Sequence, residues 1–233
     1  MILKRPAAAR GHADHGWLKT WHSFSFADYH DPAEMGWGPL RVINDDIVMP
    51  ESGFPKHGHR DMEIITWVLS GALSHQDSIG YGEVLRPGEA QRMSAGRGVF
   101  HSEFNASASE PVHLLQIWIE PDARGHEPRY EQKVFAAEGR AGRWQLIASP
   151  DGAEGSLAIH QDARLRVAEL APDGSLSHAL DPQRRAYVHV ARGALHLNGE
   201  ELLTGDGAKI AGESLLHFVA SAATEVLLFD LPN

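Results

Sequence analysis

The chain has 233 residues, 42% of them hydrophobic, and its 21 lysines and arginines face 31 aspartates and glutamates, a formal charge of −10. This composition is typical of a globular protein with a substantial core, and the acidic balance argues against nucleic acid or a membrane surface as a partner. Cysteine is absent, which excludes disulfides, thiolate metal sites and cysteine nucleophiles.

The first twenty residues contain no apolar block of the length that a signal peptide needs, and no apolar run of about 18 residues occurs anywhere. We therefore expect a cytoplasmic protein without a membrane span. The sequence leaves the oligomeric state open, with a monomer favoured.

Short runs of β-branched and aromatic residues alternate along the chain with glycine, proline, asparagine and aspartate. The clearest runs are residues 41–44, 63–69, 113–119, 186–190 and 225–229. Many short strands with frequent turns predict an all-β protein. The stretch 124–133 is polar and lacks this pattern, so we expect a linker there.

A weak internal repeat connects the two halves. Residues 63–73 are similar to residues 185–195, and in both a predicted strand runs into Gly-Ala-Leu, at Gly71 and at Gly193. The repeat predicts two similar β domains of about 110 residues each.

Two residue pairs stand out among the 15 scattered histidines, His57 with His59 and His101 with Glu103. Residues two apart on a strand point to the same face, so each pair can direct two ligands at one point. Three imidazoles and a carboxylate suit a divalent ion such as iron, nickel, copper, zinc, cobalt or manganese. The alternative interpretation is that these are surface histidines without a common ligand.

At these residues the sequence resembles a known family. Gly53, His57, His59, Glu63 and Gly71 have the spacing of the first cupin motif. The segment from 98 to 105 is similar to the second cupin motif, and residues 21–29, 38–46 and 95–103 resemble the pirin family, in particular its bacterial quercetinase-like members. The resemblance is specific over about residues 15–125 and continues collinearly to the C-terminus.

The resemblance implies a bicupin of two jelly-roll β-barrels, with a metal-binding domain over residues 1–125 and a domain without metal over residues 126–233. It implies one divalent ion held by His57, His59, His101 and Glu103, with iron favoured and nickel, cobalt, copper, manganese or zinc as alternatives. Glu63 is the rival carboxylate, because other cupins place their fourth ligand there, or it is a partner of a ligating imidazole.

In the second half, Ala179 and Asp181 occupy the positions that His57 and His59 hold in the first, and His217 stands alone. We therefore expect no metal there. Aromatic residues near the N-terminus are expected to pack the core or to cover a barrel end: Trp17, Trp21, Phe24, Phe26 and Trp37.

The activity that the resemblance implies is cleavage of a flavonol such as quercetin by O2, with a small aromatic molecule and O2 as partners and Glu103 as the catalytic base. Two alternatives are a non-catalytic protein whose interactions respond to the metal or its redox state, and another small-molecule enzyme with a cupin metal site.

Overall fold

The structure, a computed structural model, describes residues 1–233 and contains 22 β-strands and three short 3-10 helices, at Ala7–Ala9, Ala137–Gly139 and Ala153–Gly155. No helix in it has the length and apolar character needed to cross a membrane. The first eleven strands are β1 Ile2–Arg5, β2 Gly11–Asp14, β3 Leu18–His22, β4 Leu40–Val48, β5 Gly53–His59, β6 Glu63–Ser70, β7 Leu73–Asp77, β8 Gly82–Leu85, β9 Glu89–Ser94, β10 Val99–Asn105 and β11 Val112–Ile119. The remaining strands are β12 Arg129–Val134, β13 Gln145–Ser149, β14 Leu157–Ala158, β15 Arg164–Leu170, β16 Ser175–Ala179, β17 Arg185–Arg192, β18 Ala194–Leu197, β19 Glu200–Leu203, β20 Gly207–Ala211, β21 Leu215–Ala220 and β22 Thr224–Leu231.

The chain folds into two compact units. The N-terminal unit comprises Gly11–Phe135 with Ile159–Gln161, and the C-terminal unit comprises Met1–Arg10, Ala136–Ala158 and Asp162–Asn233. The first ten residues, which the sequence places in the first domain, thus belong to the other unit, where β1 pairs with β20. The domain limits at 125 and 126 stay a prediction.

Each unit consists of one seven-stranded and one four-stranded sheet. In the N-terminal unit the orders are β12-β9-β6-β11-β4-β3-β2 and β5-β10-β7-β8. In the C-terminal unit they are β1-β20-β17-β22-β15-β13-β14 and β16-β21-β18-β19. The all-β prediction is confirmed. The sheets are open ones, so closure into jelly-roll barrels stays a prediction.

The internal repeat is visible in these orders. Strands β6 and β17 occupy the third place of their large sheets, and β7 and β18, which follow them, occupy the third place of the small ones. At the connecting turns Gly71 has φ 78° and Gly193 has φ 87°. A Cβ at Gly71 would lie 2.6 Å from the Pro111 carbonyl oxygen, and one at Gly193 would lie 2.2 Å from that of Ala223. Both turns therefore require glycine.

All five predicted strand segments lie within observed strands, namely β4, β6, β11, β17 and β22. The predicted linker at 124–133 is wrong in its second half, because residues 129–134 form β12 and pair with β9. The misassignment arises because β12 is a polar edge strand, with Tyr130 as its one buried side chain. A strand that is half exposed to solvent lacks the apolar run on which the prediction depends.

Both units contain clusters of buried apolar side chains. In the C-terminal unit one such cluster includes Leu216 and Phe218 of β21. In the N-terminal unit separate clusters form around Val68 and around Ile64. The polar side chains buried in the N-terminal unit include His101 and Glu103 on β10, the strand that corresponds to β21.

Candidate metal centre

Strand β10 buries ionisable side chains and exposes aromatic ones, the opposite of an ordinary amphipathic strand. Its buried positions include His101 and Glu103, 3% and 2% exposed, whereas Phe100 and Phe104 are 55% and 42% exposed. Buried ionisable groups beside exposed aromatic ones are costly for stability, so they indicate a function rather than packing.

Strand β5 brings the other histidine pair alongside. His57 lies opposite His101 in the antiparallel pairing, and the register shifts between His101 and Glu103, which lies opposite Phe54. The segment of β5 that absorbs this bulge contains Pro55, which has no backbone N–H for the ladder. The Pro55 carbonyl oxygen is free for the imidazole of His57, whose Nδ1 lies 2.8 Å away.

The three imidazoles converge. Ligand nitrogens of His57, His59 and His101 lie within 4.8 Å of one another, and the Nε2 atoms of His57 and His101 are 3.0 Å apart. Nδ1 of His57 donates to the Pro55 carbonyl, so in the neutral ring Nε2 is the nitrogen that carries the lone pair. Two nitrogens each about 2.1 Å from one cation, at right angles, are about 3.0 Å apart, so this spacing fits a shared ion.

Two of the three imidazoles are neutral at physiological pH. Burial, reinforced by the adjacent His101 and His57 rings, lowers the pKa of His59 to about 4. Burial also lowers the pKa of His101 to about 4, although Glu103 acts in the opposite direction. Neutral imidazoles have lone pairs available without losing a proton, which is the form that binds metals.

The carboxylate of Glu103 groups with a different histidine. His75, His101 and Glu103 form a second set of ligand atoms within 4.8 Å of one another, and all three residues are buried. Nδ1 of His75 lies 3.9 Å from Oε1 of Glu103, and its Nε2 lies 3.3 Å from Asp77. His101 is therefore common to an outer set of three imidazoles and an inner set that contains the carboxylate. The four-residue ligand set stays a prediction.

Two glutamine side chains hold Glu103 in place. Nε2 of Gln91 donates to Oε1 at 2.7 Å, and Nε2 of Gln116 donates to Oε2 at 2.6 Å. The hydroxyl of Thr66 connects the two amides, accepting from Gln91 and donating to Gln116. Tyr130 donates to the Gln91 carbonyl at 3.1 Å, which fixes the orientation of that amide.

The charge of Glu103 follows from this environment. Burial acts to raise the pKa of Glu103, but the His75 and His101 rings and the Gln91 amide outweigh it, and the pKa lies below its usual value. Glu103 is therefore an ionised carboxylate inside the unit, and a cation bound by the nearby imidazoles would compensate its charge.

Glu63, the rival carboxylate, makes its contacts elsewhere. Its Oε2 accepts a hydrogen bond from Ser94 at 2.7 Å, and its Oε1 pairs with Nδ1 of His160 at 3.0 Å. The expected partnership with a ligating imidazole is therefore not what the structure shows. The spacing of Glu63 from His57 and His59 along the chain could not reveal the contact with His160, because His160 is 97 residues away in the sequence.

A pocket of about 370 Å³ opens onto the three histidines. Its apolar lining consists of Phe26, Phe54, Pro55, Ile64 and Trp118, and its polar lining includes Asn44, Asp46, Lys56, Glu103 and Gln116. The rings of Phe26 and Trp118 meet edge to face at 5.3 Å. This volume is in the range of small-molecule sites, so an aromatic ligand can approach the imidazoles.

Four pocket or carboxylate-holding residues escaped the sequence patterns: Asp46, His75, Gln91 and Gln116. A signal did exist for Gln116, a single amide within the otherwise apolar run 114–117. Phe26, predicted to pack the core or cover a barrel end, lines the pocket.

The corresponding strands of the C-terminal unit carry different side chains. His217 on β21 is exposed, and its Nδ1 lies 3.1 Å from the Ser177 hydroxyl. Leu216 and Phe218 are the buried residues of that strand. A second domain without metal stays a prediction.

Comparisons with known proteins agree with this picture. Residues 4–119 match the family model "Pirin", and residues 146–231 match "Quercetinase C-terminal cupin domain". The chain is 48% identical over 233 residues to a quercetin 2,3-dioxygenase of Escherichia coli K12, covering 100% of this chain and 99% of the relative. It is 45% identical to a putative quercetin 2,3-dioxygenase of Pseudomonas aeruginosa, covering 99% of this chain and all of the relative.

A solved structure of the bacterial pirin YhhW from Escherichia coli in complex with nickel(II) superposes with a TM-score of 0.95 at 48% identity, covering 100% of this chain and 99% of that one. Two cupin domains in tandem are thus the arrangement of this chain.

Proposed function

The chain belongs to the pirin family, and from that premise we propose that it is a metal-dependent dioxygenase that opens the ring of a flavonol with O2. The observation that carries the proposal is the convergence of three imidazoles, two of them held neutral by burial, beside a buried ionised carboxylate in an apolar pocket. The relatives named quercetin 2,3-dioxygenase support the choice of substrate class.

His57, His59, His101 and Glu103 would hold the cation. When bound, a divalent ion supplies Lewis acidity that lowers the pKa of a coordinated hydroxyl and balances the negative charge that its ionisation creates. The donor set of nitrogens and one carboxylate oxygen is compatible with iron, nickel, cobalt, manganese, copper or zinc.

Glu103 is the base in this proposal. Its carboxylate is ionised, and it accepts the proton of the flavonol hydroxyl that stands next to the ring carbonyl. Gln91 and Gln116 each donate to one of its oxygens, so the carboxylate stays oriented while the proton moves. The resulting flavonolate is electron-rich and reacts with O2.

The apolar walls of the pocket exclude water from the reacting groups. Phe26, Phe54, Ile64 and Trp118 surround the space in front of the histidines and offer ring faces and edges to a flat aromatic substrate. Exclusion of water strengthens the electrostatic contacts that stabilise the flavonolate.

Removal and return of the metal test the proposal. Protein purified without added metal is treated with a chelator and then reloaded separately with Fe(II), Ni(II), Co(II) and Mn(II), and quercetin-dependent O2 uptake is measured. We expect chelation to abolish uptake and at least one metal to restore it. Undiminished uptake by the fully chelated protein would contradict the proposal.

A matched pair of variants tests the role of Glu103. Glu103→Gln is expected to lower kcat for quercetin by about 10²-fold or more, because the general base is lost. Glu63→Gln is the control, since Glu63 is as deeply buried as Glu103, 1% against 2% exposed, but contacts Ser94 and His160. Equal losses in the two variants would assign the effect to general destabilisation.

A further inference from the structure

Asp46 is a buried carboxylate in the wall of the pocket. It lies on β4, is 3% exposed, and its Oδ1 has no hydrogen-bond partner within the protein. Thr20 hydrogen-bonds to its carboxylate. Its neighbour Asp45 points to the opposite face of the sheet, where it pairs with Nε2 of His113 at 2.6 Å.

The unpartnered oxygen is unusual within this pocket. Both oxygens of Glu103 accept from glutamine amides, Gln116 is engaged at both ends of its amide, and Oδ1 of Asn44 lies 2.8 Å from Nδ1 of His22. Apart from Asp46, the one side chain of the lining with a buried unpartnered atom is His101, which belongs to the ligand cluster. A buried polar atom without a partner is costly, and a ligand that supplies the missing contact accounts for its retention.

The chemistry of the wall defines what can satisfy this atom. The unpartnered Oδ1 of Asp46 can accept a hydrogen bond from a neutral donor. The rings of Phe26 and Trp118 line the same pocket, so the donor is to be expected on an aromatic framework. A phenolic hydroxyl meets both requirements.

We propose that Asp46 is a substrate-binding residue that accepts a hydrogen bond from a phenolic hydroxyl of the flavonol, a different hydroxyl from the one that Glu103 deprotonates. The inference rests on the proposed function and deepens it. It makes the enzyme selective for polyhydroxylated flavonols over those that carry only the hydroxyl next to the ring carbonyl.

Anaerobic binding measurements test this without requiring turnover. Nickel-loaded wild-type and Asp46→Ala proteins are titrated with quercetin and with 3-hydroxyflavone, which lacks every other hydroxyl, and Kd is obtained from quenching of tryptophan fluorescence. Loss of a buried hydrogen bond is expected to weaken quercetin binding about tenfold while 3-hydroxyflavone binding stays within about twofold. Asp45→Ala is the matched control and is expected to leave both affinities unchanged.

Equal weakening for both flavonols, or none for quercetin, would overturn the proposal, as would a wild-type protein that binds neither. If Asp46→Ala does not fold, Asp46→Asn keeps the shape and is expected to weaken quercetin alone, by about threefold or more. Aerobic O2 uptake separates the two proposals. If the protein binds quercetin selectively but takes up no O2, the oxygenase function alone is contradicted. If it takes up O2 but does not discriminate between the two flavonols, the role of Asp46 alone is contradicted.

Discussion

Gln91 and Gln116 determine how Glu103 can act. Each amide donates to one carboxylate oxygen, at 2.7 and 2.6 Å, in a buried setting where hydrogen bonds to a charged group contribute strongly. A general base must be ionised before substrate binds, and these donors favour the ionised form. The pair therefore positions the carboxylate and lowers its pKa in the same way.

Gln116→Met keeps the volume of the side chain but removes the donor to Oε2. Losing a hydrogen bond to the charged carboxylate disfavours the ionised form and raises the pKa of Glu103. The acid limb of the kcat–pH profile is expected to move to higher pH. Gln132→Met is the control, because Gln132 contacts Tyr130 but not Glu103. A lower kcat with an unmoved acid limb would show a structural effect only.

Asp46 lowers the stability of the metal-free protein at neutral pH. Burial, with smaller contributions from Asp45 and Glu103 and against the hydrogen bond from Thr20, raises the pKa of Asp46 from 3.8 to about 7. Because the folded chain holds this proton to higher pH than the unfolded chain does, stability decreases as the pH rises from about 4 to about 7.

We expect Asp46→Asn to unfold at a higher urea concentration than the wild type at pH 8, a gain of up to about 4 kcal/mol in the free energy of unfolding. The gain should shrink to nearly zero at about pH 3, where the carboxyl is protonated in both states. Both proteins are compared after chelation. A gain that is independent of pH would contradict the assigned cause.

The turns after β6 and β17 require glycine, because neighbouring backbone atoms leave no room for a Cβ. Gly193 and Gly199 have nearly the same φ, 87° and 89°, but only Gly193 is crowded, with Ala223 and Thr224 in the way of a Cβ. Gly199→Ala is expected to cost about 1 kcal/mol, from the backbone conformation alone. Gly193→Ala should cost roughly 2–5 kcal/mol, because steric overlap is added. Urea unfolding of the two variants measures the difference, and equal costs would refute the steric explanation.

Strand patterns in the sequence predicted much of the fold and part of the candidate site. Runs of β-branched and aromatic residues between turn residues predicted the five central strands, and the i, i+2 spacing on a β chain predicted that His57 and His59 share a face. The polar strand β12 escaped because no apolar run marks an exposed edge. Gln91 and Asp46 escaped because their importance depends on which strands become neighbours, and that pairing is decided by contacts distant in the sequence.

The two units are built alike, but both chain termini belong to the C-terminal unit. Strand β1 occupies in the C-terminal unit the edge place that β12 occupies in the N-terminal unit. Its backbone pairs with β20 from Ile2 opposite Ile210 to Arg5 opposite Gly207, and Lys4 pairs with Asp206 at 3.0 Å. A boundary drawn from the repeat alone assigns these residues to the first domain.

Deletion of residues 1–10 is expected to uncover the edge of β20 and to loosen the C-terminal unit. Hydrogen exchange of backbone amides in Gly207–Ala211 should accelerate, because unpaired edge groups open to solvent. Amides of β10, Val99–Asn105, serve as the internal control and should keep their protection. Unchanged exchange in β20 would show that β1 contributes nothing to that sheet.

We predict that His57, His59, His101 and Glu103 bind one cation. The most direct measurement is a crystal structure of the nickel-loaded protein with an anomalous difference map at the nickel edge. We expect one peak, about 2.1 Å from a nitrogen of each of the three imidazoles and from a carboxylate oxygen of Glu103. A peak bound by His75, His101 and Glu103 without His57 and His59, or no peak in this pocket, would contradict it.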